Sequence, residues 1–327
     1  MSHAIDQRIV SITQIPGVFA AHATNSEGGT GCTVIICPKG ATGGVDVRGG
    51  APATRETDLL RPEETVQQLH AVVLSGGSAY GLAASCGVAE ELERHGIGLD
   101  VGVGVVPIVT SACLFDLPCG DPHARPTAAD GAEATRAALE SPEVPLARGN
   151  VGAGTGATVG KLGGPSLAMK SGLGEDVESA GQLVCGAIAA VNAAGDVVDP
   201  DTGEQIAGMR SPQGGLASTT EALLALTSNP TGFDRTNTTI SCIVTNARLT
   251  KPQATKVAQM AADAYAHAIR PTHTTNDGDT VFVMATGEVD ALVDVVGVLA
   301  TRALERAIAD AARSATGAYG LPAARDL

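Results

Sequence analysis

Asn237-Thr238-Thr239-Ile240-Ser241-Cys242-Ile243-Val244-Thr245 runs from a turn-forming stretch straight into a β-branched, apolar run. Val, Ile and Thr at this density predict a buried strand, because branched side chains pack well on a pleated surface. The preceding residues 199–237 contain PDTGEQ, SPQGG and TSNPTGFDRTN, turn formers with one helical interlude around Thr219 to Leu226. They read as a linker or exposed loop. A Thr hydroxyl at such a junction, held against the preceding carbonyl, can attack it, shift the acyl group from nitrogen to oxygen and lose it to water. The new chain would then start with Thr238, carrying a nucleophile and an α-amine of pKa about 8 that can serve as base. Read alone, however, Asn-Thr-Thr entering a strand is an ordinary turn.

Working outward, the pattern predicts a helix from Pro252 to about Ile269, a strand over Asp279 to Thr286 and a final helix from about Val289 to Ala315. Upstream, Val184 to Asn192 reads as a buried strand, Ala193 to Asp196 as its turn, and a strand resumes at Val197. Gly31 to Pro38 and Val45 to Gly49 have strand character, and Ile97 to Thr110 suits a strand or strand pair. Ser78 to His95 is helical by the spacing of Leu82, Cys86, Ala89 and Leu92 and by its His95-Gly96 ending. Ala128 to Leu139 makes a short helix, whereas Glu63 to Leu74 shows no definite type. Nothing repeats and no second domain emerges, so residues 1–327 form a single domain.

Composition narrows the function. The 327 residues are 44% hydrophobic and 17% charged, ample for a large core. A net charge of −14 argues against nucleic acid or anionic membrane as partner, since phosphate binding needs clustered Lys and Arg. Aromatic residues are 2%, with no Trp, so base-stacking platforms are not expected and the core is aliphatic. The seven Cys lack CxxC or His spacing and read as buried reduced thiols. No charged leader with an apolar stretch opens the chain, and no apolar run reaches about 18 residues. A soluble, cytoplasmic protein is expected.

Several Gly-rich segments invite ligand readings. Gly152-Ala-Gly154-Thr-Gly-Ala157 has the letters of a dinucleotide fingerprint but no strand before it, and Gly160-Lys161 fails as a P-loop because Leu162 stands where Ser or Thr must bind Mg²⁺. Leu74-Ser-Gly-Gly77-Ser-Ala-Tyr80-Gly81 is a strand-to-helix turn whose N–H groups could line an anion or oxyanion site, or simply enter a helix. Asp277-Gly278-Asp279 places two carboxylates in a turn, able to orient a nucleophile or hold an ammonium group. The spacing of a calcium loop is absent.

Taken together, Gly76-Gly77-Ser78-Ala79-Tyr80-Gly81-Leu82, Gly152 to Lys161, Asn192, Asn237-Thr238-Thr239 and Asp277-Gly278-Asp279-Thr280 resemble, in order, the DmpA family of L-aminopeptidase/D-esterases, β-peptidyl aminopeptidases and nylon-oligomer hydrolases. The resemblance runs from about Ile9 to Ala311. It implies an α/β (α+β) fold, the DmpA-like αββα sandwich, cleaved by itself into associated chains 1–237 and 238–327. Thr238 would be the nucleophile, Asn192 an oxyanion-stabilising amide and Lys161 an aid to nucleophile activation. Asp277 and Asp279 would hold and tune the nucleophile's end. The family's active-site Tyr would fall on Tyr80, unless the motif aligns on Phe115.

Thr at the processed position and the Asp/Asp pair side with the nylon-oligomer hydrolase, where family aminopeptidases carry Ser and Ser/Glu. The expected activity is therefore hydrolysis of linear amides, such as 6-aminohexanoate oligomers or short amine-bearing peptides, without metal or organic cofactor. The alternatives are an aminopeptidase, β-aminopeptidase or pantetheine-type amidase of the same family. The resemblance also implies a homo-oligomer, a tetramer of cleaved protomers. The rival from another class is a non-catalytic α/β protein binding a small ligand through the Gly-rich loops.

Overall fold

The computed structural model describes residues 9–142, 144–228 and 237–327. Its principal strands are β1 (Phe19–Asn25), β2 (Thr30–Val47), β3 (Thr54–Arg55), β4 (Leu69–Ser75), β5 (Val109–Cys113), β6 (Leu173–Ala180), β7 (Leu183–Asn192), β8 (Thr238–Ala247) and β9 (Thr280–Val289). The helices are α1 (Ala84–Arg94), α2 (Ala128–Glu140), α3 (Thr219–Ala225), α4 (Lys251–Ala261), α5 (Asp263–Ala268) and α6 (Val293–Ser314).

Hydrogen bonding follows the order β6-β7-β8-β9-β2-β4-β5-β3, with β1 also on β2. The long β2 belongs to two sheets. Its first half, Thr30 to Ile36, pairs with β1 and β4, and its second half, Thr42 to Val47, pairs with β9. The register shifts between Ile36 and Ala41. Pro38 lies in that gap, where its missing N–H costs no ladder bond. The two strands expected at Gly31 to Pro38 and Val45 to Gly49 are thus one.

Strand alternation builds the layers. On β8, Ile240, Cys242 and Val244 face the core between the sheets, while Ile243 faces the helices. On β9, Phe282 and Met284 point inward and Val281, Val283 and Ala285 outward. Helices α4, α5 and α6 cover one sheet, and α1 and α2 cover the other. The result is an αββα sandwich. Helix α6 buries Val296, Ala300, Ala303, Leu304, Ala307, Ile308 and Ala311, a stripe at three- and four-residue spacing. The small residues let it lie close to β6 and β7.

Glu63 to Leu74 resolves into a turn followed by β4. Leu69, Val72 and Leu74 face the inter-sheet core and Ala71 and Val73 face helices. With both faces covered, polar alternation is lost, which is why the sequence leaves its type open. The helix expected from Pro252 to Ile269 is divided at Ala262 into α4 and α5. Beyond the break Tyr265 is fully buried. Six of the seven cysteines are buried, but Cys86 is exposed, correcting the expectation that all were interior. Among the described residues no helix is long and apolar enough to cross a membrane.

Candidate active site

Thr238 is the first residue of β8 and lies opposite Asn192, the last residue of β7. Strand pairing therefore fixes both with the precision of a hydrogen-bonded ladder, although 46 positions separate them in sequence. The Thr238 hydroxyl donates to the carbonyl oxygen of Asn237, part of the amide whose C–N bond self-cleavage would break. Asn237 and Thr238 are both buried. Asn237 lines a cavity of about 490 Å³, whose wall mixes apolar Phe115, Pro118, Leu162 and Leu321 with polar side chains. Asp116 and Lys161 are its charged members.

The Asn192 amide is oriented by its neighbours. Its Oδ1 accepts from the Thr158 N–H at 3.0 Å and from Lys161 Nζ at 2.7 Å, and Nδ2 donates to the Phe115 carbonyl at 2.9 Å. Donors on one side and an acceptor on the other decide the amide orientation. Lys161 Nζ also donates to the Asn192 carbonyl at 3.0 Å. Burial lowers the Lys161 pKa to about 7, against the pull of the Asp277 and Asp116 carboxylates. Gly160 makes this placement possible. Its φ is +69°, and an added Cβ would stand 1.9 Å from the Gly208 carbonyl carbon and the Met209 nitrogen.

On the other side of Thr238 runs Asp277-Gly278-Asp279. A Cβ on Gly278 would stand 2.8 Å from Thr238 Oγ1, so the turn presses directly on the nucleophile candidate. Asp279 Oδ1 accepts from the Thr239 N–H at 2.8 Å, while Oδ2 takes the Thr272 hydroxyl at 3.2 Å and His273 Nδ1 at 2.9 Å. Asp277 Oδ2 accepts from the Thr274 N–H at 2.6 Å. Burial and the neighbouring Asp279 charge raise the Asp277 pKa to about 6. Both carboxylates are buried and neither lines the cavity. Their contacts serve the turn and the strand entry, which fits holding the nucleophile's end.

Tyr80 stands apart. It is 61% exposed, with the Arg125 guanidinium 3.7 Å from its ring centre. The structure leaves it outside the Thr238 cluster; Phe115, the other alignment, reaches Asn192 through its carbonyl, and Tyr319 is a second aromatic on the cavity wall. The Gly76-Gly77 turn does meet an anion, but an internal one. Gly77 N–H and the Thr30 hydroxyl donate to Asp116 at 2.6 and 2.7 Å. Burial raises the Asp116 pKa. Sequence reasoning passed over Asp116 and His273, single polar residues outside the strands and helices whose partners come from elsewhere in the fold.

The model of peptidase family S58 matches residues 10–323. The chain belongs to this family. An uncharacterized aminopeptidase of Mycobacterium leprae is 39% identical over 95% of this chain and 92% of its own length. The 6-aminohexanoate-oligomer endohydrolase of Paenarthrobacter ureafaciens is 33% identical over 84% of this chain and 74% of its own. Among solved structures, the β-aminopeptidase of a Burkholderia species superposes with a TM-score of 0.67 at 20% identity, covering 97% of this chain and 90% of that one. The L-aminopeptidase D-Ala-esterase/amidase from Ochrobactrum anthropi, a variant of the Ntn hydrolase fold, gives 0.68 at 18%, with coverages of 93% and 86%. The S58 chain is thus a hydrolase with the αββα architecture expected from its motifs. Family membership decides against a non-catalytic ligand-binding protein.

Proposed function

We propose that this S58 hydrolase cuts itself between Asn237 and Thr238 and then uses Thr238 as the nucleophile of an amidase. The contact of the Thr238 hydroxyl with the Asn237 carbonyl, at the wall of the cavity, carries this reading. The hydroxyl adds to the Asn237 carbonyl carbon and loses its proton to a base. The C–N bond breaks, the nitrogen leaves as the Thr238 α-amine, and water hydrolyses the resulting Asn237 ester. The same hydroxyl then attacks a substrate amide, the amine product leaves, and water releases the acid from Thr238.

Lys161 suits the base of the first stage because a pKa of about 7 gives it a substantial neutral fraction near neutrality. A neutral amine keeps two N–H donors, enough for both Asn192 contacts. In return Lys161 holds the amide of Asn192 in place, and that amide suits oxyanion stabilisation beside the scissile carbonyl. Asp279, through the Thr239 N–H, fixes the backbone that carries the nucleophile. After cleavage the Thr238 α-amine joins Lys161 as a base, in an environment that Asp277 keeps favourable for positive charge. No step of this scheme uses a metal or an organic cofactor.

For the substrate, the cavity beside Asn237 has room for an extended acyl segment running past Phe115, Pro118, Leu162 and Leu321, consistent with linear ω-amino acid amides such as 6-aminohexanoate oligomers. Aminopeptidase action is the second reading, favoured by relatives at 39 to 40% identity that bear that name. Purified protein tested on L-aminoacyl amides, β-peptides, pantetheine and 6-aminohexanoate oligomers separates them. Fastest turnover on the oligomers supports the first reading, and fastest turnover on L-aminoacyl amides supports the second. We further expect a cytoplasmic homo-oligomer of cleaved protomers.

A further inference from the structure

His273 has no role in the scheme above, yet it occupies a costly position. Its φ is +54°, a left-handed conformation that costs a residue with a Cβ roughly 1–2 kcal/mol relative to ordinary backbone, and Gly or Asn would fill it more easily. An imidazole kept there points to use of the side chain. The ring is largely covered, with 19% side-chain exposure, and stacks on Tyr265 at 5.2 Å between centroids. Its Nδ1 lies 2.9 Å from Asp279 Oδ2. A carboxylate only accepts, so Nδ1 carries the proton. Nε2 is buried and closes no well-formed hydrogen bond, with the Ala262 backbone as its polar neighbour.

The partners of this ring converge on one residue. Asp279 accepts from the Thr239 N–H, and the Tyr265 hydroxyl lies 3.1 Å from the Thr239 carbonyl. Both backbone groups of the residue following the nucleophile are therefore held by side chains that His273 touches. Of the charged groups around the ring, Asp279 attracts its proton and Arg48 opposes it.

We propose that His273 is a positioning residue of the reaction: by donating to Asp279 and stacking on Tyr265, it fixes the Thr239 backbone and thereby aims the Thr238 hydroxyl. This rests on the Thr238 reading. The imidazole neither contacts Thr238 nor exchanges a proton with it. Loss of one charge-assisted hydrogen bond to a buried carboxylate should slow the step by about tenfold or more.

The test uses the full chain with His273→Gly, a residue at ease at this φ, which leaves a hole of imidazole size near the surface. His273→Asn, also tolerant of φ > 0, controls for folding, and both are checked by thermal melting. Self-cleavage is followed by denaturing mass spectrometry, with and without added imidazole. The expected result is slow cleavage of the Gly variant, partly restored by imidazole, and a smaller defect, insensitive to imidazole, in the Asn variant, whose amide still donates to Asp279 but cannot stack on Tyr265. On the best amide substrate kcat should fall while KM stays. Wild-type cleavage rates in folded His273→Gly and His273→Asn, or slow cleavage that imidazole leaves unchanged in the Gly variant, would overturn the proposal. A parent chain that never cleaves would instead remove the Thr238 reading on which it rests.

Discussion

Lys161 and Asp277 are where single residues make the sharpest predictions. Arg at position 161 keeps a donor but cannot lose its proton at ordinary pH, so Lys161→Arg should slow self-cleavage by about 100-fold or more. In the parent the rate should climb as pH rises through about 7, because burial lowers the Lys161 pKa to that value and the neutral amine is the competent form. A rate independent of pH from 6 to 8 would count against Lys161 as base. Asp277 has its pKa raised to about 6, so between about pH 4 and 6 the folded chain keeps a proton that the unfolded chain has lost. Stability from this group therefore falls as pH rises through that window and stays lower above it. In a Thr238→Ala background, Asp277→Asn should raise the thermal midpoint by a few degrees, about 3 °C, at pH 8 and leave it unchanged near pH 4. An equal offset at both pH values would contradict the burial of a charged Asp277. Gly278→Ala belongs beside these, since its Cβ would stand 2.8 Å from Thr238 Oγ1. It should stop self-cleavage in a protein that still folds, seen as one uncut mass with a cooperative melt.

At the scale of elements, the site is the meeting of three strand ends. Strand β8 starts with Thr238 and β7 ends with Asn192, while the turn before β9 supplies Asp277 and Asp279. The strands were legible because buried, β-branched runs leave a compositional signal, and Asn192 and Thr238 could be placed at their ends. The continuity of β2 was not, since Pro38 and Gly40 interrupt the run at the point where its register shifts. Asp116 and His273 left no periodic signal at all; Asp116 meets Thr30 across 86 positions, a contact made by packing alone. Where Tyr80 points was not legible for a related reason: a motif fixes its backbone turn but not which way a ring faces, and here the ring lies outside against Arg125. Helix α5 braces the strand ends through Tyr265, whose hydroxyl lies 3.1 and 3.2 Å from the Thr239 and Thr280 carbonyls. Tyr265→Phe removes the single hydroxyl proton that these carbonyls share with the Ser241 hydroxyl and should lower stability by about 1–3 kcal/mol in urea titration. A loss under about 0.5 kcal/mol would mean the brace is unimportant.

For the whole molecule, the sandwich explains how a chain could be cut and stay together. Residues on both sides of position 237 share one core: β7 pairs with β8 over eight positions, and β9 pairs with the second half of β2. Helix α6 packs on β6 and β7 across the same division. Burial on this scale holds the two pieces without a covalent link, so cleavage should leave the melting transition cooperative. The measurement that tests the central claim most directly is denaturing mass spectrometry of the purified parent chain and of Thr238→Ala after prolonged incubation at neutral pH. The account predicts two masses for the parent, matching residues 1–237 and 238–327, and one intact mass for the variant. A single intact mass for the parent, or cleavage of the variant at the same bond, would contradict it.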